Sequence, residues 1–221
     1  MELYTCTIYY AHFQEPLAKE IFAGLMDQLP AAMQNKIAAF RRWEDAHASL
    51  LGKHLLQYAL KENGQVHTLS AMQYTPFSRP YFPGEDDFNI SHTDRIVVCA
   101  MAHSNQIGVD IERPMPLDID DFRQQFSTAE WDHIHRSSDP LQTFYEYWTA
   151  KEAVLKAIGT GLTDELHLLN PFENNEWHLY TIRDFFPYSC HLASQQPLGK
   201  ISLINIGDLF YQSPHLFISS L

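Results

Sequence analysis

Residues 96 to 112 constrain the fold of this 221-residue chain more than any other stretch. Ile96-Val97-Val98-Cys99-Ala100-Met101 is an apolar run of β type that breaks at Ser104-Asn105-Gln106 and resumes at Ile107, which predicts two paired strands. On the second strand Val109 and Ile111 share one face while Asp110 and Glu112 share the other, the two carboxylates about 7 Å apart by strand rise. The apolar pair anchors the strand. The acidic pair on its own is the usual solvated face, yet its spacing also lets both carboxylates lean toward one cation.

A helix with clear punctuation follows over about 140 to 158. Asp139 can cap it, Pro140 fits its first position, and Gly159 and Gly161 come after the last periodic residue. Phe144, Tyr147, Trp148, Leu155 and Ile158 recur near helical spacing and are expected as its buried stripe, whereas Glu152 and Lys156, four apart, lie together on one face. A Glu-Lys pair of this kind is by itself a surface ion pair. Taken with Asp110 and Glu112 it supplies three carboxylates and a lysine for one metal-phosphate centre.

The remaining patterns are helical at about 30 to 42 and 44 to 62, the latter with Leu50, Leu51, Leu55, Leu56 and Ala59 inward and Gly64 at its end. Ser127 and Glu130 read as a capping box, and strand candidates lie at 177 to 182, 188 to 194 and 201 to 206. Helix-then-strand order in both halves predicts an α+β fold. A hydrophobic content of 45% is enough for a real core, in one domain or two modest ones. Cys6, Cys99 and Cys190 are odd in number and widely spaced, so neither a disulfide framework nor a zinc site is expected. The start lacks a basic signal-peptide region and the longest apolar run, Ile96 to Ala102, is far short of a span, which predicts a soluble cytoplasmic protein without membrane contact. A net charge of −12 argues against nucleic acid as a partner. Anionic ligands must then rely on local cations. Arg41 and Arg42 read as solvated helix surface, His133 and His135 as surface residues, and Ser91-His92 sits at a strand end from which short polar groups can reach phosphate oxygens.

Gly108-Val109-Asp110-Ile111-Glu112 followed by Trp148-Thr149-Ala150-Lys151-Glu152-Ala153-Val154-Leu155-Lys156 resembles the 4′-phosphopantetheinyl transferases that modify peptide and polyketide synthases, in which G-[IV]-D-[IV]-E precedes W-x-x-K-E-x-x-x-K. The likeness extends to Glu44 through Gly52, Arg79-Pro80, Phe88 through His92, and Phe126 through Trp131, and covers about residues 30 to 165. It implies two similar α/β halves related by pseudo-twofold symmetry with the active site between them, the first at 1–105 bearing the coenzyme A nucleotide contacts and the second at 106–221 bearing the metal and catalytic residues, in a monomer. The implied reaction moves the phosphopantetheine arm of coenzyme A to a serine of an apo acyl or peptidyl carrier protein with Mg²⁺, releasing adenosine 3′,5′-bisphosphate. Carried over by position, Asp110, Glu112 and Glu152 hold the metal, and Glu152 and Lys156 are catalytic. Lys36 meets the 3′-phosphate, and Ser49, Arg79, Ser91, His92 and Lys156 complete the coenzyme A contacts. Ala48 and Met33 stand where some relatives carry basic side chains. Two other classes stay open: a metal-dependent nucleotide pyrophosphatase using the same carboxylates with water as nucleophile, and a non-catalytic carrier-binding protein whose docking surface includes Phe122 and Phe126, two residues that fit the core equally well.

Overall fold

Nine strands and six α-helices build this computed structural model, which describes residues 4–65, 68–84, 86–161, 165–173 and 176–212. In order they are β1 (Tyr4–His12), α1 (Lys19–Asp27), α2 (Ala31–Ala38), α3 (Trp43–Glu62), β2 (Gln73–Tyr74), β3 (Pro80–Tyr81), β4 (Asp86–Thr93), β5 (Ile96–His103), β6 (Ile107–Glu112), α4 (Thr128–Arg136), α5 (Pro140–Ile158), β7 (His178–Thr181), β8 (Ser189–Ser194), β9 (Leu198–Asn205) and α6 (Gly207–Gln212). The α+β class holds. Among the described residues no helix is long and apolar enough to cross a membrane.

The strands form a four-stranded sheet in the order β4-β5-β1-β9, a three-stranded sheet β6-β8-β7, and the short hairpin β2-β3. β5 lies between two strands and is covered on both faces, which is why its sequence is an unbroken apolar run rather than an alternation. Val97, Cys99 and Met101 join the core under α3. Ile96, Val98, Ala100 and Ala102 face the other way and meet Ile107, Val109 and Ile111 of the second sheet. On that sheet's far face Ala153, Val154 and Ala157 of α5 pack with Trp177 and Ala193. The order of layers is therefore helix, sheet, sheet, helix.

β5 and β6 are not paired, contrary to the expectation from their short connection. Both edges of β5 are taken, by β4 and β1, and β6 pairs instead with β8. Ser104, at φ 50°, turns the chain out of the first sheet, and Asn105 anchors that turn through two hydrogen bonds with Gln196, at 3.0 and 2.9 Å. β9 then crosses back to lie parallel to β1 in the first sheet.

The helix punctuation is as read. Asp139 accepts from the Gln142 amide at 3.0 Å, Pro140 opens α5, and Gly159 closes it at φ 81°. Ser127 and Glu130 form the reciprocal capping box of α4. The buried stripe of α5 differs, because the helix has neighbours on two sides: Tyr145, Thr149, Ala150, Lys151 and Ala153 are buried beside Phe144 and Leu155, Tyr147 and Trp148 are half-buried, and Ile158 is 41% exposed. α2 ends at Ala38, leaving Phe40 outside it and exposed.

Candidate active site

Gly108 sets the spacing from which the site is built. β6 lies so close to α5 that a Cβ at Gly108 would collide with the Ala153 carbonyl oxygen and the Ala157 nitrogen, so no side chain larger than hydrogen fits. Two residues on, the same face of β6 presents Asp110, and four on it presents Glu112, opposite Glu152 and Lys156 of α5. These four, with Ile90, Ser91, His92 and Trp148, line one cleft of about 300 Å³. Strand alternation and helix spacing thus bring the two sequence fragments together as expected. Trp148, expected in the buried stripe, is a wall of this cleft.

Asp110 is only 3% exposed, and Lys156 reaches it from α5 with Nζ 2.6 Å from Oδ1. The same ammonium donates to Ser91 Oγ at 2.9 Å, and Ser91 donates to Asp110 Oδ1 at 2.9 Å. Thr93 donates to Glu112 Oε2 at 2.8 Å. Burial and the Asp110 charge push the Glu112 carboxyl up to about 7, against the Thr93 hydrogen bond and Lys156. Burial and Asp110 likewise raise Glu152, with Lys156 opposing. His92 projects into solvent at the cleft edge, yet the protein packed around its ring, and then the Lys156 charge, hold its pKa below the usual histidine range.

Asp110 Oδ2 and Glu152 Oε1 are both buried without a hydrogen-bond partner. Buried carboxylate oxygens left bare are costly, and a hard divalent cation with oxygen ligands satisfies them. In donor type the residues therefore fit Mg²⁺. Among the described residues no group of three or more His, Cys, Asp or Glu side chains is drawn together as a ready metal site. The Lys156 ammonium, in contact with Asp110, adds positive charge to the cleft.

The expected coenzyme A contacts divide. Ser91 and His92 line the cleft with Lys156. Ser49 is half-buried on α3 and Lys36 is exposed on α2, and neither is a lining residue. Arg79 is not one either: its guanidinium donates to Asp87 Oδ2 at 2.6 Å, the Ile107 carbonyl at 3.0 Å and the Lys156 carbonyl at 2.9 Å, tying β3, β4, β6 and the end of α5 together. It borders a separate open groove of about 550 Å³. Of the two phenylalanines Phe126 is core, whereas Phe122 is half-buried. Phe126 is 1% exposed, and both pack edge-on or tilted against Phe144, with Phe122 also against Trp148.

One residue and one pairing are not foreseen by the sequence reading. Lys53, two turns after Asp45 on α3, is half-buried and has no hydrogen bond or ion pair among the described residues; burial and the neighbouring Lys36 charge lower its pKa, and its own charge reaches His92. Spacing from Ser49 was the available signal. Lys151 of the tryptophan motif and Glu130 of the capping box form a buried pair at 3.0 Å, and nothing in the spacing of the two patterns shows that they meet.

The family model of the 4′-phosphopantetheinyl transferase superfamily matches residues 106–202. A 4′-phosphopantetheinyl transferase of Bacillus subtilis is 34% identical over 161 residues, covering 71% of this chain and 71% of that protein. The 4′-phosphopantetheinyl transferase Sfp of Bacillus subtilis strain 168 is 32% identical with the same coverage. The 4′-phosphopantetheinyl transferase gsp of Aneurinibacillus migulanus is 30% identical over 147 residues, 65% of this chain and 62% of its own length.

Proposed function

The chain belongs to the 4′-phosphopantetheinyl transferase superfamily, and from that premise we propose that it moves the 4′-phosphopantetheine arm of coenzyme A to a serine hydroxyl of an apo acyl or peptidyl carrier protein in an Mg²⁺-dependent reaction. The observation that carries this reading is the cleft itself, where Lys156 stands among Asp110, Glu112 and Glu152 and two buried carboxylate oxygens lack partners. Asp110, Glu112 and Glu152 would hold the metal. Bound there, Mg²⁺ would offset the charge of the pyrophosphate and draw electron density from the phosphorus under attack.

The serine oxygen forms a new bond to the phosphorus that bears the pantetheine, and the bond from that phosphorus to the bridging oxygen breaks. Adenosine 3′,5′-bisphosphate leaves. Glu152 takes the serine proton, a role favoured by the upward shift that burial and Asp110 give its carboxyl. Two of the three Lys156 protons engage Asp110 and Ser91, and the third is directed at the bridging oxygen and the departing phosphate. His92 donates to a phosphate from the cleft edge, and Lys53, Lys36 and Ser49 continue the contacts toward the nucleotide. Arg79 acts at one remove, by holding the end of α5 that carries Lys156. On this reading residues 1–105 supply the nucleotide contacts and 106–221 the metal and catalytic groups, in a cytoplasmic monomer.

Intact-protein mass spectrometry tests it directly. Apo acyl and peptidyl carriers, each incubated with this protein, coenzyme A and Mg²⁺, are expected to gain the mass of one phosphopantetheine arm, and reactions without metal are not. Consumption of coenzyme A with no acceptor present would move the reading to pyrophosphate hydrolysis; intact coenzyme A and unchanged carriers would move it to binding.

A further inference from the structure

β4 and β6 belong to different sheets yet run side by side, and the amides along that edge of β6 are met by side chains instead of a backbone ladder. Ile107 N donates to Asp87 Oδ2 at 2.8 Å, Val109 N to Asn89 Oδ1 at 3.0 Å, Ile111 N to Ser91 Oγ at 3.4 Å and Arg113 N to Thr93 Oγ1 at 3.2 Å. The two strands advance in step, two residues per rung. Asp87 and Asn89 serve as pure acceptors toward β6, but the upper two rungs are hydroxyls. A hydroxyl carries one proton and two lone pairs, so an amide occupying a lone pair leaves the proton to point elsewhere. At both hydroxyl rungs it points to a carboxylate of the cleft: Ser91 to Asp110 Oδ1 at 2.9 Å and Thr93 to Glu112 Oε2 at 2.8 Å.

Ser91 is shared with Lys156, whereas the Thr93 hydroxyl bonds only the Arg113 amide and Glu112 among the described residues. Its chemistry is restrictive. An amide side chain in its place could accept from Arg113 N but would meet Glu112 through a longer arm, an aspartate would add like charge beside Glu112, and a valine could do neither. β-Branching also limits χ1 of Thr93 and so holds its oxygen in place, while the Arg113 amide on one lone pair leaves the proton for Glu112.

We propose that Thr93 is a positioning residue for the metal site, fixing Oε2 of Glu112 so that the other carboxylate oxygen is presented to the cation in the cleft. The inference rests on the Mg²⁺ reading above. Outer partners of this kind are worth about 10- to 100-fold in metal affinity when removed.

Mn²⁺ binding in the presence of coenzyme A and without carrier, followed by electron paramagnetic resonance, reads the effect with no turnover. Thr93→Val is expected to weaken Mn²⁺ by about tenfold, and Thr93→Ser, which keeps the hydroxyl, to stay within about threefold of the parent protein. Thr93→Ala replaces the valine variant if that one does not fold. A purely structural Thr93 would lower the melting temperature and leave the Mn²⁺ dissociation constant where it was, and that result overturns the proposal. So does a serine variant as weak as the valine one. If the parent protein holds no Mn²⁺, or Glu112→Gln leaves its affinity unchanged, the metal assignment fails and this inference with it; an unchanged constant in Thr93→Val alone sinks only the inference.

Discussion

Lys151 and Lys156 stand on successive turns of α5 and do opposite work. Lys156 meets Asp110 at the floor of the cleft, whereas Lys151 is 0% exposed, paired with Glu130, donating to the Leu166 and Leu169 carbonyls and lying over the Phe126 ring. Removing one partner of a buried pair leaves a bare charge, so Lys151→Met is expected to cost about 3 to 5 kcal/mol in urea unfolding. Adding Glu130→Gln should return part of that loss. Glu152→Gln should instead lower turnover by about 10²- to 10⁴-fold with coenzyme A still bound; near-normal turnover with metal binding intact would remove it from the base role. Burial holds the His54 and His191 pKa values down at about 4, from an ordinary 6.5. The unfolded chain therefore takes up protons that the native protein refuses. Their contribution is complete above pH 6.5 and is lost as pH falls toward 4, by about 3 kcal/mol for each. Urea midpoints across that window should show the slope, and His191→Asn should roughly halve it. None of these three roles could be told from residue identity, since Lys151, His54 and His191 acquire their surroundings only from distant segments.

At the scale of elements, the close approach of β6 to α5 decides the site. Gly108→Ala would force its methyl against the backbone of Ala153 and Ala157, so strand and helix must part, at about 1 to 3 kcal/mol. Because the shift separates Asp110 from Glu152 and Lys156, turnover per folded molecule should fall as well, which steady-state kinetics beside a melting curve would register. The element boundaries were largely legible. Asp139, Pro140, Gly159 and the Ser127-Glu130 box are local devices, written in residues next to the helix ends they serve. The partners of strands were not: the short turn after β5 looks like a hairpin, and only the occupied edges of β5 exclude that pairing. β1 also went unread, although Tyr4 to His12 carries the Tyr, Thr, Cys and Ile enrichment of a strand.

For the molecule as a whole, the order of layers depends on β9 returning to the edge of β1 after β7 and β8 have completed the other sheet. The division near residue 105 is thus one of function in our proposal, and the two parts share a sheet. A chain ending at residue 197 would leave the β1 edge unpaired, and it is expected to elute from size exclusion as aggregate rather than as a smaller folded species. By itself the sequence determined the α+β class, the ends of α4 and α5 that carry local caps, and that Asp110 and Glu112 share one face of β6 as Glu152 and Lys156 share one face of α5, because each follows from neighbouring residues or from a period of two or 3.6 along a single element. The tertiary structure alone decided that Arg79 is bound into the seam, that Phe126 is core, that Lys151 is buried and that Thr93 meets Glu112. Those outcomes depend on which surfaces compete for each edge and face, and that competition involves residues far apart in the chain.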